Sequence, residues 1–383
     1  MIGFVCVHIG AGQHSETLEE KYKQLCQQAS KQGVDILTRG GSAVDAVVAA
    51  TVLLEDSPLT NAGFGSNLSM DGKVECDASL MDGGHLTFGA CGAVAGVKNP
   101  VLLARHICDQ QRVPLSLGRV PPCLLAGEGA HRYAIEHNIA TVDPDSLISD
   151  KTIRTFKHFM KRFNRYQEHE NKRMKYNTGF TSELQKQMDT VGAVCVYTKE
   201  NIAVACSSGG VLMNEQLQKQ MDTVGAVCVD TKGNIAVACS SGGILLKRSG
   251  RIGQAAMQGA GCWADSTVGV VSTGCGEHLM ATCLAREAAR NIHASDCPTS
   301  ALHTTFVDGF LESPLLRNVE EKLAGLLVIH VKGGRGEMLY AHTTDSMCIG
   351  YMATNNKKPR SRMSRLPAGA KHGCSIALEG VSF

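Results

Sequence analysis

One stretch, residues 221–243 (MDTVGAVCVDTKGNIAVACSSGG), sets the terms for the whole chain. It reads as two strands joined by a turn at Lys232-Gly233-Asn234. Val224, Val227, Val229, Ile235 and Val237 alternate with Ala, Gly and Cys, so neither face of the pair is polar. A hairpin of that kind must be covered on both sides. The stretch also occurs twice. Residues 184–213 align with 217–246 at an offset of 33, and only four of the 30 aligned positions differ: Tyr197/Asp230, Glu200/Gly233, Val211/Ile244 and Met213/Leu246. A solenoid would show more copies, with drifted sequences. So close a match points to a tandem exon duplication or to a gene model joining two alternative exons.

At 383 residues the chain can hold two or three average domains or one large α/β unit. A net charge of +2 argues for neither a nucleic-acid partner nor a membrane surface. Glycine is abundant, at 41 residues, and aromatics make up only 5%, which favours tight turns and closely packed layers. The 16 cysteines include no Cys-x-x-Cys pair and no Cys/His cluster at zinc spacing, so neither metal nor cofactor is expected. Cys195, Cys206, Cys228 and Cys239 lie on apolar runs as small hydrophobes, which implies a reducing compartment, nucleus or cytoplasm. The apolar start, residues 1–8, lacks a basic flank and reads as a first strand, not a signal peptide. No apolar run reaches the length of a membrane span.

In chain order, a strand over 4–9 ends at Gly10-Ala11-Gly12. Ser15 is expected to cap a helix whose Leu18, Tyr22, Leu25 and Ala29 share a face. Ser42 caps a second helix over 43–54, apolar nearly all round and therefore buried on more than one side. Strands follow at 74–80 and 88–97, a helix starts at Asn99-Pro100, and another runs from Pro121-Pro122 to about Asn138. Residues 144–187 form a basic, helix-like linker, with nine Lys/Arg against two Asp/Glu between Lys151 and Lys175. Lys161-Arg162 and Lys172-Arg173-Met174-Lys175 resemble a short bipartite nuclear-import signal; direct nucleic-acid contact is not expected. Beyond the repeat, a turn at 272–277 opens a helix to about Ile292, and 326–331, 338–342 and 347–352 read as strands. Strands at both ends with helices between suggest two stacked sheets flanked by helices.

The chemistry turns on Thr223. A hydroxyl is a weak nucleophile and needs a base beside it. A free α-amine, with a pKa near ~7.7–8.0, suits that task. Thr223 acquires such an amine only if the Asp222–Thr223 bond breaks, and its own hydroxyl can do this. Attack on the Asp222 carbonyl exchanges amide for ester, and water then cleaves the ester. Ser241, at the end of the partner strand, can hydrogen-bond that hydroxyl. Arg251 can hold a carboxylate bidentately, and Thr273 with the Gly274 N–H suits an oxyanion hole. Each feature alone has a plainer reading, as a common dipeptide, a turn or a surface ion pair. Together, in this order, they define a site.

The motifs Gly10-Ala11-Gly12 after His8, Asn61-Ala62-Gly63, Thr223-Val224-Gly225-Ala226, Ser240-Ser241-Gly242-Gly243, Gly250-Arg251-Ile252-Gly253-Gln254 and Gly274-Cys275-Gly276-Glu277 span nearly the whole length. With the tail at 342–348, they resemble the taspase (threonine aspartase) branch of the N-terminal-nucleophile hydrolases, relatives of the asparaginases and glycosylasparaginases. The resemblance implies an α/β fold, a four-layer αββα sandwich. It implies self-cleavage into an α part (1–222) and a β part (223–383), which stay together and pair into a dimer of heterodimers. Thr223 would be the nucleophile, with Ser241 its helper. Arg251 would bind the substrate carboxylate, Thr273 and Gly274 would surround the oxyanion, and Asn61 would lie near. Amidases of the superfamily carry an aspartate where this chain has Gln254, and that aspartate holds the free amine of asparagine. A neutral residue there suits an aspartate inside a polypeptide. The implied activity is cleavage of protein substrates after aspartate, at Asp-Gly sites in nuclear regulators. The alternatives are an asparaginase or isoaspartyl-peptidase amidohydrolase, and an interaction protein disabled by the duplication.

The first copy offers Asp189-Thr190 and Ser208, but twenty-eight residues after Thr190 stands Gln218, where Thr223 has Arg251. Catalysis is therefore expected at Thr223, with 184–213 a decoy in the linker.

Overall fold

The computed structural model describes residues 1–176, 191–197, 201–207 and 223–383. The first strands and helices are β1 (Phe4–Gly12), α1 (Glu19–Thr38), α2 (Ala43–Glu55), β2 (Cys76–Asp82), β3 (Thr87–Val94) and α3 (Pro100–Gln110). Then come β4 (Leu124–Ala126), α4 (Gly127–Glu136), α5 (Asp150–Tyr176), β5 (Val191–Tyr197), β6 (Asn201–Ser207), β7 (Val224–Val229) and β8 (Ile235–Ser241). The last third holds β9 (Cys262–Ala264), β10 (Val268–Gly274), α6 (Gly276–Thr282), α7 (Leu284–His293) and α8 (Pro298–Phe306). It closes with β11 (Ala324–Lys332), β12 (Arg335–His342), β13 (Ser346–Ala353), β14 (Arg360–Arg365) and β15 (Ala377–Ser382).

Two sheets carry the fold. The first has the order β14-β13-β1-β7-β8-β2-β3-β4 and the second β15-β12-β11-β10-β9. Every ladder in them is antiparallel except β3–β4. The two-residue period of β7 shows how the layers stack. Val224, Ala226 and Cys228 face a core shared with α1, α2 and α3, while Val227 and Val229 face β10–β12 through Val271, Leu327 and Met338. On the far side of the second sheet, Leu284, Ile292, Leu302 and Phe306 from α7 and α8 pack on Val268, Val270, Leu326 and Val328. The result is the expected αββα sandwich. Each Val or Leu fully buried in these layers contributes about 1.5–3 kcal/mol of transfer free energy.

Local physics explains the elements nearest the site. Ser42 caps α2 through a reciprocal capping box with Asp45, as its sequence suggests. The residues of α2 bury Ala46, Val47, Ala50 and Leu54 over β7 and β8. The β7–β8 turn is built on Asp230, whose Oδ1 accepts from the N–H groups of Lys232 and Asn234, each at 2.9 Å. Gly233 in that turn has φ of +92°, which a side chain would strain.

Several expectations change. Ser15 does not cap α1: it precedes a 3₁₀ turn at Glu16–Leu18, and its Oγ meets Thr17 Oγ1 instead. Residues 272–274 end strand β10 rather than forming a turn, and the helix to Ile292 is broken at Cys283, whose φ of 47° lies in the left-handed region. A short strand, β4, separates Pro121-Pro122 from α4. The basic segment is helical as far as Tyr176, in keeping with its helix-like sequence, and Phe159 is buried. The two copies part company: β7 and β8 take the centre of the first sheet, while β5 and β6, among the described residues, pair only with each other. Asp189, Thr190, Ser208, Gln218 and Asp222 lie outside the described residues. Among the described residues no helix is long and apolar enough to cross a membrane.

Candidate active site

The antiparallel register pairs Val224 with Ser240, which sets Thr223 opposite Ser241. Thr223 Oγ1 donates to Ser241 Oγ at 3.0 Å. Two further donors complete a chain. Gln254 Nε2 donates to Thr223 Oγ1 at 3.1 Å, and the Gly243 N–H donates to Ser241 Oγ at 3.0 Å. The threonine hydroxyl thus has its proton directed at a neighbouring oxygen, with one lone pair held by an amide. Thr223, Ser241 and Gln254 are all buried. Such a dry, pre-aligned chain polarises a hydroxyl more strongly than water would.

Asn61 shapes the wall beside it. Its Nδ2 donates to the Gly243 carbonyl at 2.8 Å, its Oδ1 accepts from the Asn67 N–H at 2.8 Å, and its carbonyl accepts from the Gly242 N–H at 2.8 Å. Its Nδ2 and its backbone carbonyl serve the loop after β8 while its Oδ1 braces its own loop at Asn67, so Asn61 ties the two loops together. A Cβ on Gly242 would come within 2.4 Å of Asn61 Oδ1, so this contact requires glycine.

A small cleft is lined by Asn61, Thr223, Ser241, Gly243, Ile244, Arg251, Gln254, Gly274 and Gly276. Of the sequence-derived site residues, it brings together Thr223, Ser241, Arg251, Gln254, Gly274 and Asn61. Thr273 is not on the cleft wall. It is fully buried in β10, and its Oγ1 accepts from the Ala11 N–H at 3.1 Å, tying the second sheet to β1. Gly274, with φ of +129°, does reach the wall.

Three glycines line the slot that holds the Arg251 guanidinium. Ideal Cβ atoms on Gly253 and Gly243 would fall 2.6 and 2.9 Å from its Nη1, and one on Gly276 would fall 2.5 Å from its Nη2. The slot is anchored by Asp77, which accepts from the Gly253 and Ala93 N–H groups at 2.8 Å each. Burial raises the Asp77 carboxyl above the usual range, against the pull of Lys247 and those two donors.

Four residues near the site escaped the sequence reading as functional groups. Glu55, wholly buried, accepts from Ser240 Oγ at 2.7 Å and from the Val101 N–H at 3.0 Å. Burial drives its pKa up to about 8, so it is largely protonated at neutral pH. His8 on β1 is equally buried. Desolvation lowers its pKa to about 3, and its Nδ1 accepts from the Gly10 N–H, which leaves the proton on Nε2. Asp77 and Glu277 complete the group. The one sequence signal available was a lone acid in each of two apolar or glycine-rich settings, the end of α2 and Gly276-Glu277. His278, beside Glu277 at the start of α6, accepts from the Leu323 N–H through Nδ1 at 3.3 Å.

A sheet-on-sheet sandwich with helices outside and a buried threonine at the head of an inner strand is the architecture of an N-terminal-nucleophile hydrolase. Comparison with known sequences narrows the class. The asparaginase family model matches in two stretches, residues 1–216 and 211–360, which meet at the boundary between the two copies. Human isoaspartyl peptidase/L-asparaginase is 33% identical over 85% of both chains. The zebrafish (Danio rerio) protein of the same name is 35% identical over 79% of both. The isoaspartyl peptidase of Salmonella typhimurium is 33% identical over 74% of this chain and 77% of its own. The chain belongs to the asparaginase family of N-terminal-nucleophile hydrolases.

Proposed function

We propose that this hydrolase is a self-activating threonine endopeptidase that cuts polypeptides after aspartate. Thr223 attacks the Asp222 carbonyl, the resulting ester is hydrolysed, and the freed amine of Thr223 becomes the base for its own hydroxyl in later turnovers. In that first step Ser241 Oγ takes up the hydroxyl proton's hydrogen bond and Gln254 steadies the oxygen. Arg251 holds the carboxylate of the substrate, the Gly274 N–H stabilises the oxyanion, and Thr273 supports the strand that carries Gly274. The parts 1–222 and 223–383 remain one body, expected to pair as a dimer of heterodimers. The basic helix α5 and the residues after it suit nuclear entry, and the partners are nuclear regulators with an exposed Asp-Gly bond.

The observation that carries this reading is Gln254. It is buried, it lines the cleft, and its amide is spent on Thr223. Among the described residues no carboxylate lines the cleft to hold a free substrate amine, which supports a site that makes no demand for a chain terminus. A second reading, an isoaspartyl peptidase or asparaginase, is favoured by the names of the 33–35% identical relatives. Incubating the mature protein with a peptide containing an internal Asp-Gly, with asparagine and with a β-aspartyl dipeptide separates the two. Cleavage of the first alone is expected. Turnover of asparagine or the β-aspartyl dipeptide, with the peptide left whole, would select the second reading.

A further inference from the structure

Arg251 enters the cleft already paired. Its Nε donates to Glu277 Oε1 at 3.0 Å, and its Nη2 donates to Oε1 and Oε2 at 2.8 and 2.9 Å. A guanidinium has five N–H donors in a planar fork. Glu277 occupies the Nε–Nη2 edge only. Among the described residues Nη1 has no hydrogen-bond partner, and it lies against Gly243, a cleft residue. Glu277 itself is not on the cleft wall. The arginine side chain is 15% exposed and the glutamate 51%, so the pair faces inward at one end and water at the other. Burial pushes the Glu277 carboxyl up, but the Arg251 charge and hydrogen bonds outweigh it, leaving it below the usual range and ionised at neutral pH. Among the described residues Arg251 is also the one charged residue lining the cleft. A carboxylate arriving there meets a cation whose charge is already matched.

We propose that Glu277 is a positioning and specificity-determining residue: it presents the Nη1 side of Arg251 to the substrate carboxylate and holds carboxylate affinity down so that acidic products leave. The inference rests on the reading that Arg251 anchors the substrate carboxylate. Cleavage after aspartate leaves a product with two carboxylates, the side chain and the new C-terminus. An unmatched arginine in a half-dry slot would retain it.

The test uses the mature two-part protein and two neutral-capped probes, N-acetyl-aspartate methylamide and N-acetyl-asparagine methylamide. Their inhibition constants are measured against a cleavable Asp-Gly peptide. Glu277→Gln keeps an acceptor for Nε and removes the charge. It should bind the aspartate probe about 3- to 10-fold more tightly, with little change for the asparagine probe. KM and kcat for the peptide should fall together as product release slows. Glu277→Asp should restore weaker aspartate binding. Misfolding cannot produce a gain in affinity, so the outcome is decisive. Equal or weaker aspartate binding by Glu277→Gln, or an equal gain for both probes, overturns the proposal. Arg251→Ala separates the two ideas: if it leaves aspartate-probe binding intact, the anchoring role of Arg251 itself fails.

Discussion

The two copies of the repeat differ at four of 30 aligned positions yet keep different company. The second supplies the central strands of the first sheet, and the first pairs only with itself among the described residues. Two of the four differences fall on the turn. In the second copy Asp230 accepts from two backbone N–H groups and from Asn234 Nδ2 at 2.9 Å, and Gly233 takes a φ of +92°. The first copy has Tyr197 and Glu200 at those places. Strand propensity cannot separate copies whose strands are nearly identical. The turn separates them locally, and the surroundings of β8 separate them globally. There is one Asn61, one Glu55 and one Arg251, and all three serve the second copy.

This comparison can be broken in several ways. The largest effect belongs to the nucleophile. Thr223→Ala should abolish self-cleavage and lower peptide turnover by about 10⁴-fold or more, whereas Thr190→Ala should leave both in place. Sequencing the released β part decides independently: its eighth residue should be Asp230, and Tyr197 there would reverse the assignment. Next is the turn. Asp230→Tyr with Gly233→Glu gives the second copy the first copy's turn, and should cost roughly 2–4 kcal/mol, read by urea denaturation in a Thr223→Ala background. A loss under half a kilocalorie would mean that the turn does not discriminate. Third, deleting residues 184–216 should speed self-cleavage a few-fold on a gel time course, by removing a competitor for the central sheet position; an unchanged rate would show that the copies do not compete.

A further test is a pH dependence. Glu55 is a buried acid whose folded pKa, about 8, lies above its ordinary value. The folded protein therefore holds a proton that the unfolded chain loses near pH ~4.5. That contribution is complete below ~4.5 and is lost as pH rises to about 8. The melting temperature should fall across this window, and Glu55→Gln, which keeps the acceptor for Ser240 and Val101, should flatten the fall. A parallel decline in both proteins would assign it elsewhere.

The layered fold was legible where period and burial agree. The β7–β8 run, the helical face of Tyr22, Leu25 and Ala29, and the capping box at Ser42 all announce themselves in the residues. Strands at the rims do not. β14 reads RSRMSR and lies at an edge, so only Ser364 is buried and no apolar alternation exists to find. β10 ends in Ser-Thr-Gly, which imitates a turn. In the candidate site, groups on the hairpin and the adjoining loop were readable by spacing. Glu277 was not readable as a partner of Arg251, 26 residues away, because the strands and loops between them set their approach. Glu55 was hidden for a different reason: it closes an apolar helix, where an acid looks like a solvated end.

The strand order of the first sheet bears on what a cut before Thr223 would leave behind. Strands β1, β2, β3 and β4 precede that bond and β7, β8, β13 and β14 follow it, yet β1 lies between β13 and β7, and β8 lies beside β2. The two products would be threaded through each other's hydrogen bonds in the first sheet, which neither would own whole, while the second sheet lies entirely in the part after the cut. Separating them means opening the first sheet, and reassembly becomes a bimolecular search whose success depends on concentration. A molecule activated in this way trades a refoldable state for a persistent one. Its working lifetime is then governed by how slowly the sheet opens, not by an equilibrium between folded and unfolded chains.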